Sequence, residues 1–209
     1  MVLSIILAAT LALEACASAA TLTFANTDIA SPYPSNISVS GVSGPITKVT
    51  VSLFESTHTF PANIDILLVG PAGQNILLMS DTGSALNVLG VYLVFDDAAA
   101  NFLPDSAQLV SGTFKPTNFG AGDAFPAPAP VPSGSSLLSL FNGTNANGTW
   151  SLYVFDDLGG DIGSISGGWA LTITDDAITG VIPEPTTALL LGAGLIALVA
   201  ARARREPRC

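Results

Sequence analysis

The 209-residue sequence predicts an all-β fold. It reads as a single β-sandwich or jelly roll of about eight or nine strands, with an N-terminal signal peptide and a C-terminal transmembrane helix at its ends. Three observations point there. Segments such as 46–54 (ITKVTVSLF), 150–155 and 169–174 alternate apolar and polar residues, the period of a half-buried strand. Gly (20) and Pro (14) are plentiful and cluster between those segments as turn signals. Long stretches of amphipathic helical pattern are missing, and only 11% of residues are charged. The layout is a leader at 1–20, a β body at 21–182 and a tail at 183–209.

Residues 1–20 (MVLSIILAATLALEACASAA) hold an apolar run ending in small residues, and Ala17-Ser18-Ala19 fits the cleavage pattern of a secretory signal peptide. Lys and Arg are missing ahead of the run. Leu13-Glu14-Ala15-Cys16 approaches a lipoprotein box, but Glu14 is wrong for it, so plain cleavage is expected. The body has no cysteine, because Cys16 lies in the leader and Cys209 is the last residue. A packed core, rather than disulfides, has to stabilise it.

Within the body, 21–44 is rich in Ser, Asn and Pro and suits an edge strand around Ile37-Ser38-Val39. Residues 64–80 (IDILLVGPAGQNILLMS) read as a hairpin turning at 70–74. Residues 88–95 form another strand, and a short one falls near 109–114. Residues 124–132 (AFPAPAPVP) are an extended proline-rich connector. Residues 137–141 fit a short strand or a helical turn, and 142–148 (NGTNANG) are a turn cluster. The Asn-X-Ser/Thr triplets at Asn142 and Asn147 are read as turns. Residues 148–174 read as a hairpin whose loop carries Asp156, Asp157 and Asp161 among glycines. Trp150 and Trp169 occupy core positions of its two strands.

The formal charge is −10. Thirteen of the sixteen acids fall in 21–182, against only Lys48 and Lys115. Such an acidic body excludes nucleic acid as a partner, since phosphate binding needs a basic surface.

Catalysis has little to build on. His58 is the one histidine, so any Ser-His-Asp site has to use it. It sits after a strand among Ser and Thr, where a hydrogen-bonded structural or exposed histidine is expected. Nucleophile-elbow and zinc-protease motifs are missing. The expectation is therefore a protein that is not an enzyme. Hard cations need several oxygen ligands, and Asp65, Asp81, Asp156, Asp157 and Asp161 are the candidate metal ligands, with Asp96 and Asp97 behind them. Calcium is the expected cofactor. The competing reading is solvated or turn-capping aspartates.

The tail combines Pro183-Glu184-Pro185, an apolar run at 186–201 and Arg202, Arg204 and Arg205. Arginines after the run place the C-terminus in the cytoplasm. This order resembles the PEP-CTERM sorting signal of bacteria. That resemblance implies export, transient anchoring in the inner membrane and cleavage near 183–185 by an exosortase. Release to the cell surface or extracellular space would follow, in association with extracellular polysaccharide.

The body resembles the P domain (P/homo B) of subtilisin-like proteases over about 46–174. The matching pieces are Ile64-Asp65-Ile66-Leu67-Leu68, Gly70-Pro71-Ala72-Gly73, Gly148-Thr149-Trp150, Gly160-Asp161-Ile162-Gly163 and Gly168-Trp169. The resemblance implies a galactose-binding-like jelly roll and singles out Asp65 and Asp161 as calcium ligands. The leading expectation is an exported, non-catalytic surface or matrix protein that meets polysaccharide or surface proteins. The rivals are a hydrolase accessory and a carbohydrate-binding adhesin module.

Overall fold

In this computed structural model the chain is described at residues 12–15 (backbone only), 21–25, 29–120 and 122–176. The strands are β1 (Ala12–Ala15), β2 (Leu22–Ala25), β3 (Ser35–Val39), β4 (Ile46–His58), β5 (Ile64–Val69), β6 (Asn75–Ser80), β7 (Val88–Phe95), β8 (Gly112–Phe114), β9 (Thr117–Asn118), β10 (Gly148–Asp156), β11 (Ile162–Ile165) and β12 (Trp169–Asp175). Two short 3₁₀ turns, Pro61–Asn63 and Leu138–Phe141, complete the set. The chain divides into two compact units, Met1–Ala177 and Ile178–Cys209. The second lies outside the described residues, and so do the expected transmembrane helix and most of the expected signal peptide. No helix among the described residues is long and apolar enough to cross a membrane.

The all-β expectation holds, with two sheets. β4 is the spine of the seven-stranded sheet. It pairs with β12 over its first half, β11 over its last residues and β7 along its other edge. β2 and β1 extend this sheet outside β11 and β12, and β8 runs parallel to β7. The second sheet has the order β3-β10-β5-β6-β9, antiparallel except for the β6–β9 pair. β3 is its edge, as the proline-rich approach predicts.

Period-two patterning puts Val49, Val51 and Leu53 of β4, Ile66 and Leu68 of β5, and Leu171 and Ile173 of β12 into one core between the sheets. Trp150 and Trp169 are both buried there, as expected. Burying an indole N–H is tolerable only with a partner. Trp150 Nε1 donates to the Ala146 carbonyl at 2.9 Å, and Trp169 Nε1 to Ser35 Oγ at 3.0 Å. Phe141 packs edge-on to Trp150 at 4.8 Å.

A smaller apolar cluster covers the outer face of the five-stranded sheet. Leu67, Leu77 and Tyr153 meet Tyr33, Phe125 and Ala129 there. The proline-rich connector is therefore held as a second lid on that sheet. Tyr33 donates its hydroxyl proton to the Pro126 carbonyl at 2.9 Å and meets Tyr153 edge-on at 5.0 Å. Burial, and then the neighbouring Tyr153, push the Tyr33 phenol up to about 12.

Three expectations are corrected. The strand count is higher, because short strands such as β8, β9 and β11 lack the length that makes period two visible. Residues 148–174 do not form a hairpin. β10 lies in one sheet and β12 in the other, and β11 sits inside the expected loop. Alternation reveals which residues of a strand face a core but not which sheet the strand joins. His58 is the last residue of β4, buried at 3% exposure, because β4 continues past Phe54 through a bulge in its pairing with β7. Glu55 at the bulge takes a left-handed backbone angle, φ 55°.

Candidate functional site

The start of β5, the end of β6, the end of β9 and the residue after β10 converge at one end of the five-stranded sheet. Register sets this convergence. Asp65 lies opposite Phe155 on β10, and Ser80 lies opposite Asn118 on β9. Asp65, Asp81 and Asp157 are thereby neighbours, joined by Asp123 from the loop ahead of the connector.

The Ser80 hydroxyl, itself fully buried, sits among these carboxylates. Its Oγ is 3.0 Å from Asp123 Oδ1 and 3.4 Å from Asp81 Oδ2, and it also hydrogen-bonds Asp65. One hydroxyl carries one proton, so it satisfies one of the three carboxylates at a time. Asn118 Nδ2 donates to the other oxygen of Asp123 at 3.0 Å. Asp81 occupies a left-handed angle, φ 54°, and a β-carbon at Gly120 would stand 2.9 Å from its Oδ2.

The electrostatics register the crowding. Asp65 is 4% exposed, and its carboxyl is raised to about 7, first by burial and then by Asp157, Asp123 and Asp81. Asp81 is raised by burial, then by Asp123 and Asp157. Asp157 is raised by burial, then by Asp156 and Asp123. Cations are scarce nearby: Lys48, which pairs with Asp96 at 2.7 Å, is the only described lysine bonded to a carboxylate.

Of the five predicted ligands, Asp65, Asp81 and Asp157 come together and the other two do not. Asp156 is fully buried, and its Oδ2 stands 3.4 Å from His58 Nε2. Asp161 accepts from Thr59 Oγ1 at 2.7 Å and from Asn63 Nδ2 at 3.2 Å, a strap that ties the loop after β10 to the turn after β4. The residues behind them serve structure. Burial pushes Asp96 up, but the bond from Lys48, the Ala98 amide and the Lys48 charge together outweigh it and leave a net lowering. Asp97 accepts from the Leu138 and Ser139 amides.

Among the described residues no three His, Cys, Asp or Glu side chains stand close enough to grip a metal ion without rearrangement. The donor set nonetheless suits a hard cation: four carboxylates, a hydroxyl and an amide, all oxygen-bearing, with a shortage of protons. Asp81 and Asp157 are both exposed, Asp81 at a bend after β6 and Asp157 just past the end of β10. Sequence reasoning missed Ser80, Asn118 and Asp123. The Gly-Ala-Gly-Asp run at 120–123, which parallels Gly159-Gly160-Asp161, was the available signal.

Residues 181–205 match the PEP-CTERM protein-sorting motif. That span contains Pro183, Glu184, Pro185, Arg202, Arg204 and Arg205, and the motif implies export, a C-terminal membrane anchor before processing, and processing by an exosortase. No curated protein matches the sequence. Among solved structures, the serine protease of Aeromonas sobria is similar at TM-score 0.34 and 14% identity, over 80% of this chain and 26% of that one. The same protease in complex with its chaperone ORF2 gives TM-score 0.35 and 13% identity, over 80% and 26%. This chain thus spans about a quarter of the length of those proteases, and the overlap is too slight to assign a fold or an activity.

Proposed function

We propose that this is an exported, non-catalytic cell-surface or extracellular-matrix protein, sorted through its C-terminal tail, whose P-domain-like β-sandwich is stabilised by calcium at Asp65, Asp81, Asp123 and Asp157. The supporting observation is the single Ser80 hydroxyl set among three carboxylates. A divalent cation would relieve the mutual repulsion that, after burial, raises Asp65, Asp81 and Asp157, and among the described residues no lysine is bonded to them. The oxygens of Asp65 and Asp123 would stay where they are, while Asp81 and Asp157 close over the ion.

The non-catalytic reading is supported by the surroundings of His58. Its Nδ1 accepts the Phe60 amide proton at 3.1 Å, and its Nε2 faces Asp156 inside the fold. Among the described residues neither ring nitrogen hydrogen-bonds a Ser or Thr hydroxyl.

The test is a thermal melt of the full chain in detergent at pH 8, with chelator and with millimolar calcium. Calcium at a hundred times its dissociation constant stabilises by about 2.7 kcal/mol. Asp65→Asn is expected to abolish the calcium-induced rise. A melting temperature indifferent to calcium in the wild-type chain overturns the cation site.

A further inference from the structure

The outer edge of β12 is covered by a strand that the exported chain is not expected to keep. β1 (Ala12–Ala15) falls inside 1–20, the leader with the cleavage pattern Ala17-Ser18-Ala19. It pairs antiparallel with β12, setting Ala12 opposite Thr174, Leu13 opposite Ile173, Glu14 opposite Thr172 and Ala15 opposite Leu171. Among the described residues β12 has two strand neighbours, β4 on its inner side and β1 on its outer side. Cutting the leader away therefore turns β12 into an edge strand.

Open edges are usually blunted by shortness, lysine, proline or a bulge. β12 carries none of these over most of its length. It runs seven residues, WALTITD, and its register shift against β4 lies at its end, between Thr174 and Asp175. β3, the edge of the other sheet, is guarded by contrast: it has five residues and follows Pro32 and Pro34. The outer amides and carbonyls of β12 form a template for an added strand, and β1 shows that an antiparallel one docks there.

The occupant that fits is a second copy of β12. Two antiparallel strands of the same sequence pair about a two-fold axis. An axis at Thr172 sets Leu171 of each copy opposite Ile173 of the other, Ala170 opposite Thr174, and Thr172 opposite itself. Directly opposed residues share a face. Leu171 and Ile173 are buried, so each apolar position is matched by another, in the register where β1 sets Leu13 opposite Ile173. Ala170, Thr172 and Thr174 are half-buried and are matched among themselves on the other face. From Ala170 to Thr174 the register holds no charge, and Asp175 and Asp176 fall beyond it. In so acidic a body, an uncharged seam is what lets two copies approach.

We propose that leader cleavage opens the outer edge of β12 and that two copies of the cleaved chain join there, β12 to β12 antiparallel about Thr172, into one continuous sheet. β1 guards the edge until the leader is removed. The proposal goes beyond the calcium-stabilised surface role and rests on its export step, which the test reads separately.

The test is light scattering after size exclusion, in one detergent, of the full chain with its leader and of the chain recovered after export. Mass spectrometry reads the N-terminus of each. A monomer is expected with the leader and a dimer without it. Thr172→Lys and Thr172→Glu, at a half-buried position, are each expected to weaken the dimer about tenfold or more, and mixing the two to restore it, because Thr172 opposes itself. Thermal melts check the fold of each variant, and the leader comparison decides without any variant. Four outcomes overturn the proposal: an exported chain that retains residues 1–20, a cleaved chain that stays monomeric or is recovered on a different protein, a dimer formed equally well with the leader in place, or a mixture no stronger than its components. The first strikes the export step, and the others strike the pairing itself.

Discussion

His58 Nε2 and Asp156 Oδ2 face each other at 3.4 Å inside the protein, and neither atom has a hydrogen-bond partner among the described residues. The Phe60 amide proton on Nδ1 fixes the imidazole as the tautomer carrying its hydrogen on Nε2, the nitrogen nearer the carboxylate. Asp156 is pushed up by burial, and His58 partly counteracts that push.

Removing the imidazole therefore strands a buried carboxylate. His58→Phe is expected to destabilise the fold by about 3 kcal/mol or more at pH 8. Without His58 the Asp156 carboxyl rises further, so the folded state takes up a proton that the unfolded state releases. The stability deficit then shrinks as the pH falls toward that of an ordinary carboxyl group. Urea unfolding at pH 8 and pH 5 measures this, and an equal deficit at both values contradicts it.

Asp65 sets the pH response of the cation-free protein. Its carboxyl is raised to about 7 in the fold, against an unfolded value of 3.8. Its stabilising effect is complete below the unfolded value and is lost as pH rises through the folded one. In chelator the urea midpoint is expected to climb from pH 8 to pH 5, and Asp65→Asn to flatten that climb. Calcium would reverse the trend, because its ligands have to be deprotonated.

Close packing behind the strap loop rests on Gly163. A β-carbon there would collide with the His58 and Phe24 rings and come within 2.6 Å of the Thr57 carbonyl. Gly163→Ala is expected to cost about 1–3 kcal/mol, read as a lowered urea midpoint. Trp150→Ala, which empties a fully buried site, is expected to cost about 3–5 kcal/mol by the same measurement.

The tail makes a cellular prediction. Replacing Pro183-Glu184-Pro185 with alanines is expected to keep the protein in the membrane fraction at full mass, while the wild-type chain is shortened by about the length of its tail. Mass spectrometry of the two fractions reads this directly, and an unchanged distribution contradicts exosortase processing.

Much of this was legible in the residues. Alternation in 46–54 located the first part of β4, and Gly70-Pro71-Ala72-Gly73 located the β5–β6 turn, because both signals are local. Asp65, Asp81 and Asp157 were chosen from composition, and strand register brings them together. Asp156 and Asp161 stood in the same run of sequence, yet backbone direction turns the first toward His58 and the second toward Thr59. Asp123 lies far along the chain, and only the parallel β6–β9 pairing carries its loop to Ser80. Long-range pairing of that kind leaves no periodic trace.

The last described strand also has a mechanical meaning. β12 meets β4 through seven residue pairs, from Trp169 opposite Leu53 to Asp175 opposite Ile46, and Asp176 adds a bond to the Pro45 carbonyl. Six residues separate the end of that ladder from the tail at 183–209. A pull along the strand axis would load all its rungs together instead of peeling them one by one. Force on the C-terminal end of β12 would meet this seven-pair ladder in a sheet that β1 continues on the strand's other side.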